Sequence, residues 1–289
     1  MAEWQALAIQ YVAGRVRRGE ITPLTGRNTR SSLGSLVKEI GDRRTITPHT
    51  IEKWMGTRAH LSAATRRHDF IAARAWCDWL VQEGKLKSNP TVRFRAPKEP
   101  RRAPRALSAE SVAEVLHVCP DERSKAIVWL MVGMGLRCCE VATLNIEDWD
   151  RHSDLLRVTG KGQHVRELPM LPHVSEAIRV YLSAHPATDG PLFRSYRNPT
   201  QAIRADTISG MVSELMMAAG IKHHPRDGVS AHALRHTAAS DVLEHSHDLP
   251  AVQEMLGHRN LSTTSIYLRR ASMERMRDSM SGRDYDPAA

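Results

Sequence analysis

The last third of the chain carries two histidines, an arginine and a tyrosine that could act together on one ligand. His232 and Arg235 are three residues apart, so on a helix their side chains share one face. Gly257 is typical of a helix C-cap, His258 follows it directly, and Tyr267 comes nine residues after His258. A guanidinium binds anionic oxygens, an imidazole transfers protons and a phenol oxygen can attack as a nucleophile. Each residue alone is ordinary, but residues of these types could together bind an anion, move a proton and supply a nucleophile.

The order of these residues resembles a known signature. The pattern H-x-x-R at His232 and Arg235, then L-G-H ending at His258, then Tyr267, is similar to the C-terminal part of the tyrosine recombinases, the phage integrase family. That family also has an earlier arginine and a lysine. The resemblance therefore makes a prediction about the sequence upstream.

Both upstream residues are present. Residues 135–144, GLRCCEVATL, resemble the start of the family's G-L-R-x-x-E-x-x-x-L helix, with Arg137 as the first catalytic arginine and Glu140, one turn on, to orient it. Residues 155–169 read as two alternating strands around a glycine turn, which predicts a β-hairpin. The family's catalytic lysine lies in such a turn, and here that residue is Lys161.

The resemblance implies a site that binds one DNA phosphate through several cations. Arg137 and Arg235 would clamp the non-bridging oxygens, a task that suits a planar guanidinium better than an ammonium. His258 would donate a hydrogen bond to the same phosphate. Such groups stabilise the negative charge that develops during strand cleavage.

The resemblance also assigns the steps of the reaction. Tyr267 would be the nucleophile, although a phenol with a pKa near 10 is mostly protonated at neutral pH. His232 would manage the tyrosine proton, and Lys161 would protonate the departing 5′ oxygen. The product would be a 3′-phosphotyrosine, which a 5′-hydroxyl from another duplex can reverse without ATP. We expect no cofactor and no metal.

Two positions in the C-terminal part of the signature depart from the family pattern. Ala233 replaces the aspartate of the usual H-D-L-R-H, and Ser246 stands where the family has a glycine in the turn between two helices. Neither position contributes a catalytic atom. A serine in a left-handed turn would be strained, so Ser246 is an expected point of strain if the turn is kept.

The first hundred residues predict four helices. Apolar residues recur at three- and four-residue spacing from Trp4, from Leu33, after Thr47-Pro48 and after Ser62. Residues 76–90, WCDWLVQEGKLKSNP, resemble the end of the family's core-binding domain. The aromatic residues of these helices are expected to form the core.

Charge is distributed unevenly along the chain. The net charge is +9, and residues 1–100 hold 18 Lys/Arg against 9 Asp/Glu, whereas the remainder holds 23 of each. A basic excess confined to one segment is typical of a nucleic-acid-binding module. The candidate DNA contacts are arginines of the predicted polar faces and of the following linker: Arg15, Arg17, Arg18, Arg27, Arg30, Arg43, Arg44, Arg66, Arg67, Arg93, Arg95, Arg101 and Arg102.

These patterns predict a mainly α protein with a small β-sheet and two domains. Residues 1–92 would be a helical core-binding domain of the SAM-like type, and residues 93–105, rich in proline and arginine, a basic interdomain linker. Residues 106–289 would be the mixed α+β catalytic domain of the tyrosine recombinases. The resemblance implies that the two domains close on DNA as a C-shaped clamp.

Other protein classes are disfavoured by composition. No run of 18 apolar residues and no N-terminal signal is present, so we expect a cytoplasmic protein with no membrane partner. The four cysteines and fifteen histidines show no metal-ligand spacing. They are expected to be reduced thiols and ordinary side chains.

The segment after Tyr267 has methionines at helical spacing, at Met273, Met276 and Met280. This helix either folds back on its own domain or, as in the family, docks in the next protomer and links four subunits into a ring on two DNA sites. We expect the second arrangement, a homotetramer on double-stranded attachment or core sites. An accessory protein that controls direction or bends DNA is a possible further partner.

The favoured function is site-specific recombination that integrates or excises a phage or other mobile element. The close alternative is a recombinase that resolves chromosome or plasmid dimers, which shares all six catalytic positions. A type IB topoisomerase shares the phosphotyrosine chemistry, but the closing helix of the core-binding domain argues against it. A non-catalytic DNA-binding protein on a decayed scaffold is the remaining alternative.

Overall fold

The computed structural model describes residues 1–98, 106–160, 162–224 and 229–257. The chain divides into two units, Met1–Arg102 and Ala103–Ala289, each with its own hydrophobic core. The described residues are mainly helical with one three-stranded sheet, as the sequence predicts. Among them, no helix is both long and apolar enough to cross a membrane.

The first unit is built from four helices, three of which begin at a hydroxyl cap. Thr22, Thr47 and Ser62 each accept a hydrogen bond from the backbone N–H three residues later. Trp54 and Trp76 are almost completely buried in the core between the helices. The helices are α1 (Ala2–Arg17), α2 (Pro23–Ile40), α3 (Pro48–Thr57) and α4 (Ala63–Gln82).

The first unit continues past residue 92. Arg74 on α4 donates from Nη2 to the backbone oxygens of Thr91, at 3.0 Å, and Phe94, at 2.5 Å. Asn89 accepts from the backbone N–H of Thr91 at 2.8 Å and so tightens the same turn. The beginning of the predicted linker is therefore held against α4.

The second unit combines seven helices with the small sheet in its described residues. The helices are α5 (Ala109–His117), α6 (Glu122–Gly133), α7 (Cys138–Thr143), α8 (Pro172–Ala184), α9 (Ala205–Ala218), α10 (His232–Ser246) and α11 (Leu249–Leu256). The strands are β1 (Trp149–Asp150), β2 (Leu155–Thr159) and β3 (Val165–Pro169), and a 3-10 turn precedes β1 at Ile146–Asp148.

The sheet is antiparallel in the order β1-β2-β3, and β2 and β3 form the predicted hairpin. Leu156 lies opposite Leu168, and both side chains are buried. Arg157 lies opposite Glu167, and both of these side chains face solvent. This alternation pins the register, because a slip of one residue would expose the apolar face.

The turn between α10 and α11 differs from the sequence expectation. The left-handed residue is His247, with φ 54°, and not Ser246, which is still helical. Ser246 instead donates from Oγ to the backbone oxygen of Val242 at 2.7 Å and accepts from the N–H of Asp248 at 3.1 Å. The prediction of strain at Ser246 is therefore wrong, because a serine hydroxyl can bond its local backbone at a helix end. Asp248 caps α11 through the N–H of Ala251.

Candidate active site

Arg137 is positioned by a sharp reversal between α6 and α7. Gly135 has φ 65°, and a Cβ there would lie 3.0 Å from Leu256 Cδ2, so only glycine fits this close approach to α11. Arg137 then caps the start of α7. Its backbone N–H donates to Glu140 Oε2 at 2.9 Å, and its Nη1 donates to Glu140 Oε1 at 2.8 Å. These two hydrogen bonds fix the position of Arg137 at the start of α7.

Glu140 is the centre of a group of three arginines. Its side chain is 2% exposed. Arg166 on β3 binds it through two parallel hydrogen bonds, Nη1 to Oε1 and Nη2 to Oε2, each 3.1 Å. Arg235 Nη1 lies 3.5 Å from Oε2. One buried carboxylate thus holds Arg137, Arg166 and Arg235 together.

The carbonyl end of α11 completes this group. Met255 O accepts from Arg166 Nε at 2.8 Å, and Leu256 O accepts from Arg235 Nη2 at 2.6 Å. Arg137 Nη1 reaches the same Leu256 oxygen at 3.4 Å, and Arg235 Nη1 donates to the backbone oxygen of Gly135. The last carbonyls of a helix carry partial negative charge and attract cations.

The electrostatic balance of the group favours an anion. Three guanidinium groups face one carboxylate, so the four side chains together carry a net positive charge. Burial by itself raises the pKa of Glu140, but the hydrogen bonds from Arg166 and from the Arg137 backbone outweigh it and hold that pKa below its usual range. Glu140 therefore stays ionised. Arg137 keeps a 31% exposed side chain, and its Nε and Nη2 donate to no group in the described parts of the chain.

His232 begins α10, on the same helix face as Arg235. Its ring keeps an exposed side, yet desolvation by the surrounding protein lowers its pKa, and Arg235 and Arg137 lower it further. Burial, with His232 and Arg235 nearby, lowers the pKa of His236 to about 4. His232 is therefore neutral at neutral pH and can accept a proton.

Three predicted residues, Lys161, His258 and Tyr267, lie outside the described residues. The residues on both sides of Lys161 are described, and so is the residue that precedes His258. Gly160 closes the hairpin by donating to His164 O at 2.7 Å, and a Cβ on Gly160 would lie 3.6 Å from Glu140 Oε1. Gly257, the left-handed cap of α11, directly precedes His258. The segments that lead to both residues thus end beside the arginine group.

Arg166 is a site residue that no sequence prediction named. The signal was present in the alternation of β3, where Arg166 shares the inward face with Leu168 two residues later. A charged residue at an inward position of a strand needs a buried partner. That partner, Glu140, could not be identified from spacing alone.

The predicted DNA-binding arginines fall into different groups. Arg15 and Arg18 both bind Glu20, at 3.0 and 2.6 Å. Arg43 donates to backbone oxygens at the end of α2, and Arg67 donates to Pro97 O. Arg66 Nε is buried without a hydrogen-bond partner in the described residues. Six more are exposed, with guanidinium groups that make no hydrogen bond or ion pair there: Arg17, Arg27, Arg30, Arg44, Arg93 and Arg95. Arg101 and Arg102 lie outside the described residues.

A metal site is not seen in the part of the chain that the structure describes. There, no group of three or more histidines, cysteines, aspartates or glutamates could hold an ion. The arginine group itself offers donors and no metal ligand beyond Glu140, whose oxygens are already bonded to arginine. Its chemistry suits an oxyanion with several acceptor oxygens.

Comparisons with known proteins agree with this chemistry. Residues 105–274 match the family model described as the phage integrase family. The chain is 33% identical over 278 residues to tyrosine recombinase XerC of Shewanella amazonensis, covering 92% of this chain and 90% of that protein. It is 36% identical over 214 residues to tyrosine recombinase XerC of Neisseria meningitidis, covering 72% and 68%. Its fold is similar to that of a lambda integrase dimer bound to a COC′ core site, with a TM-score of 0.76, 17% identity and coverage of 89% and 96%.

Proposed function

Because the chain belongs to the phage integrase family and is a tyrosine recombinase, an enzyme that cleaves and rejoins DNA strands, we propose that it resolves dimers of a bacterial chromosome or plasmid. The relatives that support this function are named tyrosine recombinase XerC and come from bacteria. They favour dimer resolution over the integration of a phage, which was the first expectation from the sequence. Integration or excision of a mobile element is the second candidate.

The preference for dimer resolution rests on these relatives, and the observation that carries the proposed cleavage chemistry is the group of three arginines around Glu140. Arg137 and Arg235 are held by Glu140 and by the Leu256 oxygen, so their directions are fixed before substrate arrives. In the proposed complex they bind the two non-bridging oxygens of the scissile phosphate. Donors that are fixed in advance lower the cost of reorganisation during the reaction.

The cleavage step transfers two protons, one from the attacking tyrosine and one to the departing 5′ oxygen. Tyr267 Oη attacks phosphorus and loses its proton to His232, whose lowered pKa leaves it neutral and able to accept. The bond from phosphorus to the 5′ oxygen breaks, and Lys161 gives that oxygen a proton. His258 donates a hydrogen bond to the phosphate. The products are a 3′-phosphotyrosine and a free 5′-hydroxyl.

Rejoining is the reverse reaction with a 5′-hydroxyl from the partner duplex. The phosphotyrosine keeps the energy of the broken bond, so the scheme consumes no ATP. Two exchanges between two copies of one site convert a circular dimer into two monomers. The same exchange between different molecules would integrate one into the other, which is why site arrangement decides the outcome.

The two parts of the chain would have different roles, one in DNA binding and the other in catalysis. In this proposal residues 1–92 are the core-binding domain, residues 93–105 the basic linker and residues 106–289 the catalytic domain. Exposed arginines such as Arg27 and Arg30 on α2 have no carboxylate partner in the described residues and can neutralise phosphates.

Assembly on DNA would use the segment after Tyr267. We propose that this segment docks in the next protomer and closes a ring of four subunits on two DNA sites. Deleting residues 271–289 should abolish recombination and leave the binding of a single site unchanged. A truncated protein that recombines at the full rate would contradict the exchange.

A genetic experiment tests dimer resolution. Deleting the coding gene from its bacterium should produce cells with unsegregated chromosomes or unstable multicopy plasmids, and the wild-type gene should restore them whereas a Tyr267→Phe allele should not. Homologous recombination creates the dimers, so abolishing it should remove the defect. If the deletion strain segregates normally while homologous recombination is intact, dimer resolution is contradicted and the mobile-element function is favoured.

A further inference from the structure

Arg166 lies on β3 between the carboxylate of Glu140 and the end of α11, and it is used by none of the steps above. We propose that Arg166 is a positioning residue that keeps Arg137 available to the scissile phosphate. This inference rests on the proposed role of Arg137 as a phosphate ligand. It also explains how the carboxylate of Glu140 can bind three arginines and still leave donor atoms of Arg137 for the substrate phosphate.

The contacts of Arg166 account for its Nε and both its Nη atoms. The two Nη atoms donate to the two oxygens of Glu140, at 3.1 Å each, and Nε donates to Met255 O at 2.8 Å. Its side chain is 10% exposed. A planar guanidinium bound at three points in this way has one orientation, and it fixes the plane of the carboxylate that it faces.

The orientation of Glu140 decides how Arg137 can bind it. Arg166 occupies one acceptor direction on each carboxylate oxygen, and the backbone N–H of Arg137 occupies another on Oε2. The side chain of Arg137 is left with a single hydrogen bond to Glu140, from Nη1 to Oε1. It cannot close the two-point pair that an isolated arginine and carboxylate prefer. Its Nε and Nη2 are therefore kept for an incoming anion.

The absence of a side chain at Gly257 leaves room for the guanidinium of Arg166. A Cβ on Gly257 would lie 3.0 Å from Arg166 Nη1 and 3.4 Å from its Cδ and Cζ. Gly257 thus serves as the left-handed cap of α11 and as the wall against which the guanidinium packs. Through the Met255 oxygen, Arg166 also ties the hairpin that contains Lys161 to the helix end that precedes His258.

The proposal predicts what happens when Arg166 is removed. Glu140 is then free to rotate and to form a two-point pair with Arg137, which withdraws the Nε or Nη2 donor from the phosphate. Cleavage should slow by about 100-fold, the usual cost of a small misplacement of a reacting group. DNA affinity should stay within about threefold, because one phosphate contact is a small share of the interface.

The test compares Arg166→Met and Arg166→Lys with wild type in the full chain. The substrate is a nicked duplex carrying the sequence recovered by covalent trapping from the host genome. Single-turnover formation of the covalent complex and equilibrium binding are measured separately. Arg157→Met on β2 is the matched control, because Arg157 is a hairpin arginine whose exposed side chain lies 3.8 Å from Glu167. This control should cleave like wild type.

A double variant with Glu140 distinguishes a positioning role of Arg166 from general structural damage. If Arg166 acts through Glu140, the double variant Arg166→Met with Glu140→Gln should cleave no more slowly than Glu140→Gln alone. If the two residues acted independently, the cleavage rate of the double variant would fall by the product of the two single effects. Should Arg166→Met fail to fold, Arg166→Lys carries the same test, because its amine cannot bind both carboxylate oxygens in one plane.

The outcomes are distinct. Slow cleavage with retained binding and with coupling to Glu140 supports the proposal. Cleavage at the wild-type rate by folded Arg166 variants overturns it, and so does a loss of binding that matches the loss of cleavage, since Arg166 would then be a DNA contact. If wild type itself forms no covalent complex on any trapped site, the proposed recombination chemistry is contradicted, and the positioning role of Arg166, which rests on it, falls with it.

Discussion

The guanidinium of Arg235 lies 3.5 Å from the carboxylate of Glu140, and the two side chains are 5% and 2% exposed. Neither charge could be buried alone without a large desolvation cost. Arg235 also donates to Leu256 O at 2.6 Å, so three segments that are distant in sequence meet at these atoms. The same contacts that stabilise the buried charges therefore also set the direction of the arginines proposed to bind phosphate.

Replacing Glu140 with glutamine should destabilise the second unit. The substitution keeps the size of the side chain but leaves Arg166 and Arg235 buried with no counter-charge. We expect the free energy of unfolding to fall by about 3 kcal/mol, the usual cost of breaking a buried ion pair. Thermal or denaturant unfolding measures the change. Glu167→Gln is the control, since Glu167 is exposed and pairs with Arg157 at 3.8 Å, and it should leave stability within about 0.5 kcal/mol of wild type. Equal losses in both variants would be inconsistent with a buried charge centre.

Alanine at Gly257 should disturb the site as well as the backbone. Gly257 has φ 60°, which costs alanine about 1 kcal/mol of strain, and its new Cβ would press on Arg166 Nη1. Gly220→Ala is matched to it, because Gly220 has φ 67° and no atom within 4 Å of a Cβ. Both variants should lose stability on thermal unfolding, and Gly257→Ala should lose at least as much as Gly220→Ala. Only Gly257→Ala should slow covalent cleavage, and a similar slowing in Gly220→Ala would show that strain alone accounts for the effect.

The pH dependence of cleavage should follow the lowered pKa of His232. Its neutral form is the one that accepts a proton, and desolvation, with the charges of Arg235 and Arg137, moves its pKa below the ordinary 6.5. The single-turnover rate should therefore stay constant through neutral pH and fall only as the pH drops through the lowered pKa. Rates measured at saturating enzyme from about pH 5 to about pH 8 test this, with DNA binding checked at each pH. His232→Gln should be slower and lack this acidic limb, whereas an acidic midpoint above 6.5 would refute the assignment.

The exposed arginines of α2 should contribute to DNA affinity through charge. Arg27→Ala and Arg30→Ala should each weaken binding and reduce the slope of log affinity against log salt by about 0.9. Arg18→Ala is the comparison, because Arg18 already binds Glu20 at 2.6 Å and releases fewer counterions when DNA arrives. Fluorescence anisotropy over a range of salt concentrations gives the slopes. Equal slopes in all three variants would contradict the distinction between paired and unpaired arginines.

Local features were predictable from the sequence because their causes are local. The hairpin of β2 and β3 follows from alternation around a glycine turn, and the end of α11 follows from Gly257. The helical share of the fold follows from periodicity and from caps such as Thr47. In each case the pattern that gives the prediction lies within a few residues of the element that it forms.

Long-range features were not predictable in the same way. Arg166 has its partners 26 residues earlier, in Glu140, and 89 residues later, in Met255, so no local pattern reveals the contacts. Arg15 and Arg18 counted as free basic charge in the sequence, but Glu20 pairs with both. One local feature was also missed: the left-handed residue is His247 and not Ser246, because the Ser246 hydroxyl bonds to the nearby backbone and keeps that residue helical.

The central claim is that Tyr267 becomes covalently joined to a DNA phosphate that Arg137 and Arg235 hold. The most direct measurement is covalent trapping on nicked fragments of the host genome, followed by denaturation, recovery of the protein and sequencing of the attached DNA. The account predicts an adduct at a reproducible site, joined through a 3′-phosphate, that is lost in Tyr267→Phe and greatly reduced in Arg137→Ala. An adduct that persists in Tyr267→Phe, or specific binding that never yields an adduct with the wild-type protein, would contradict it.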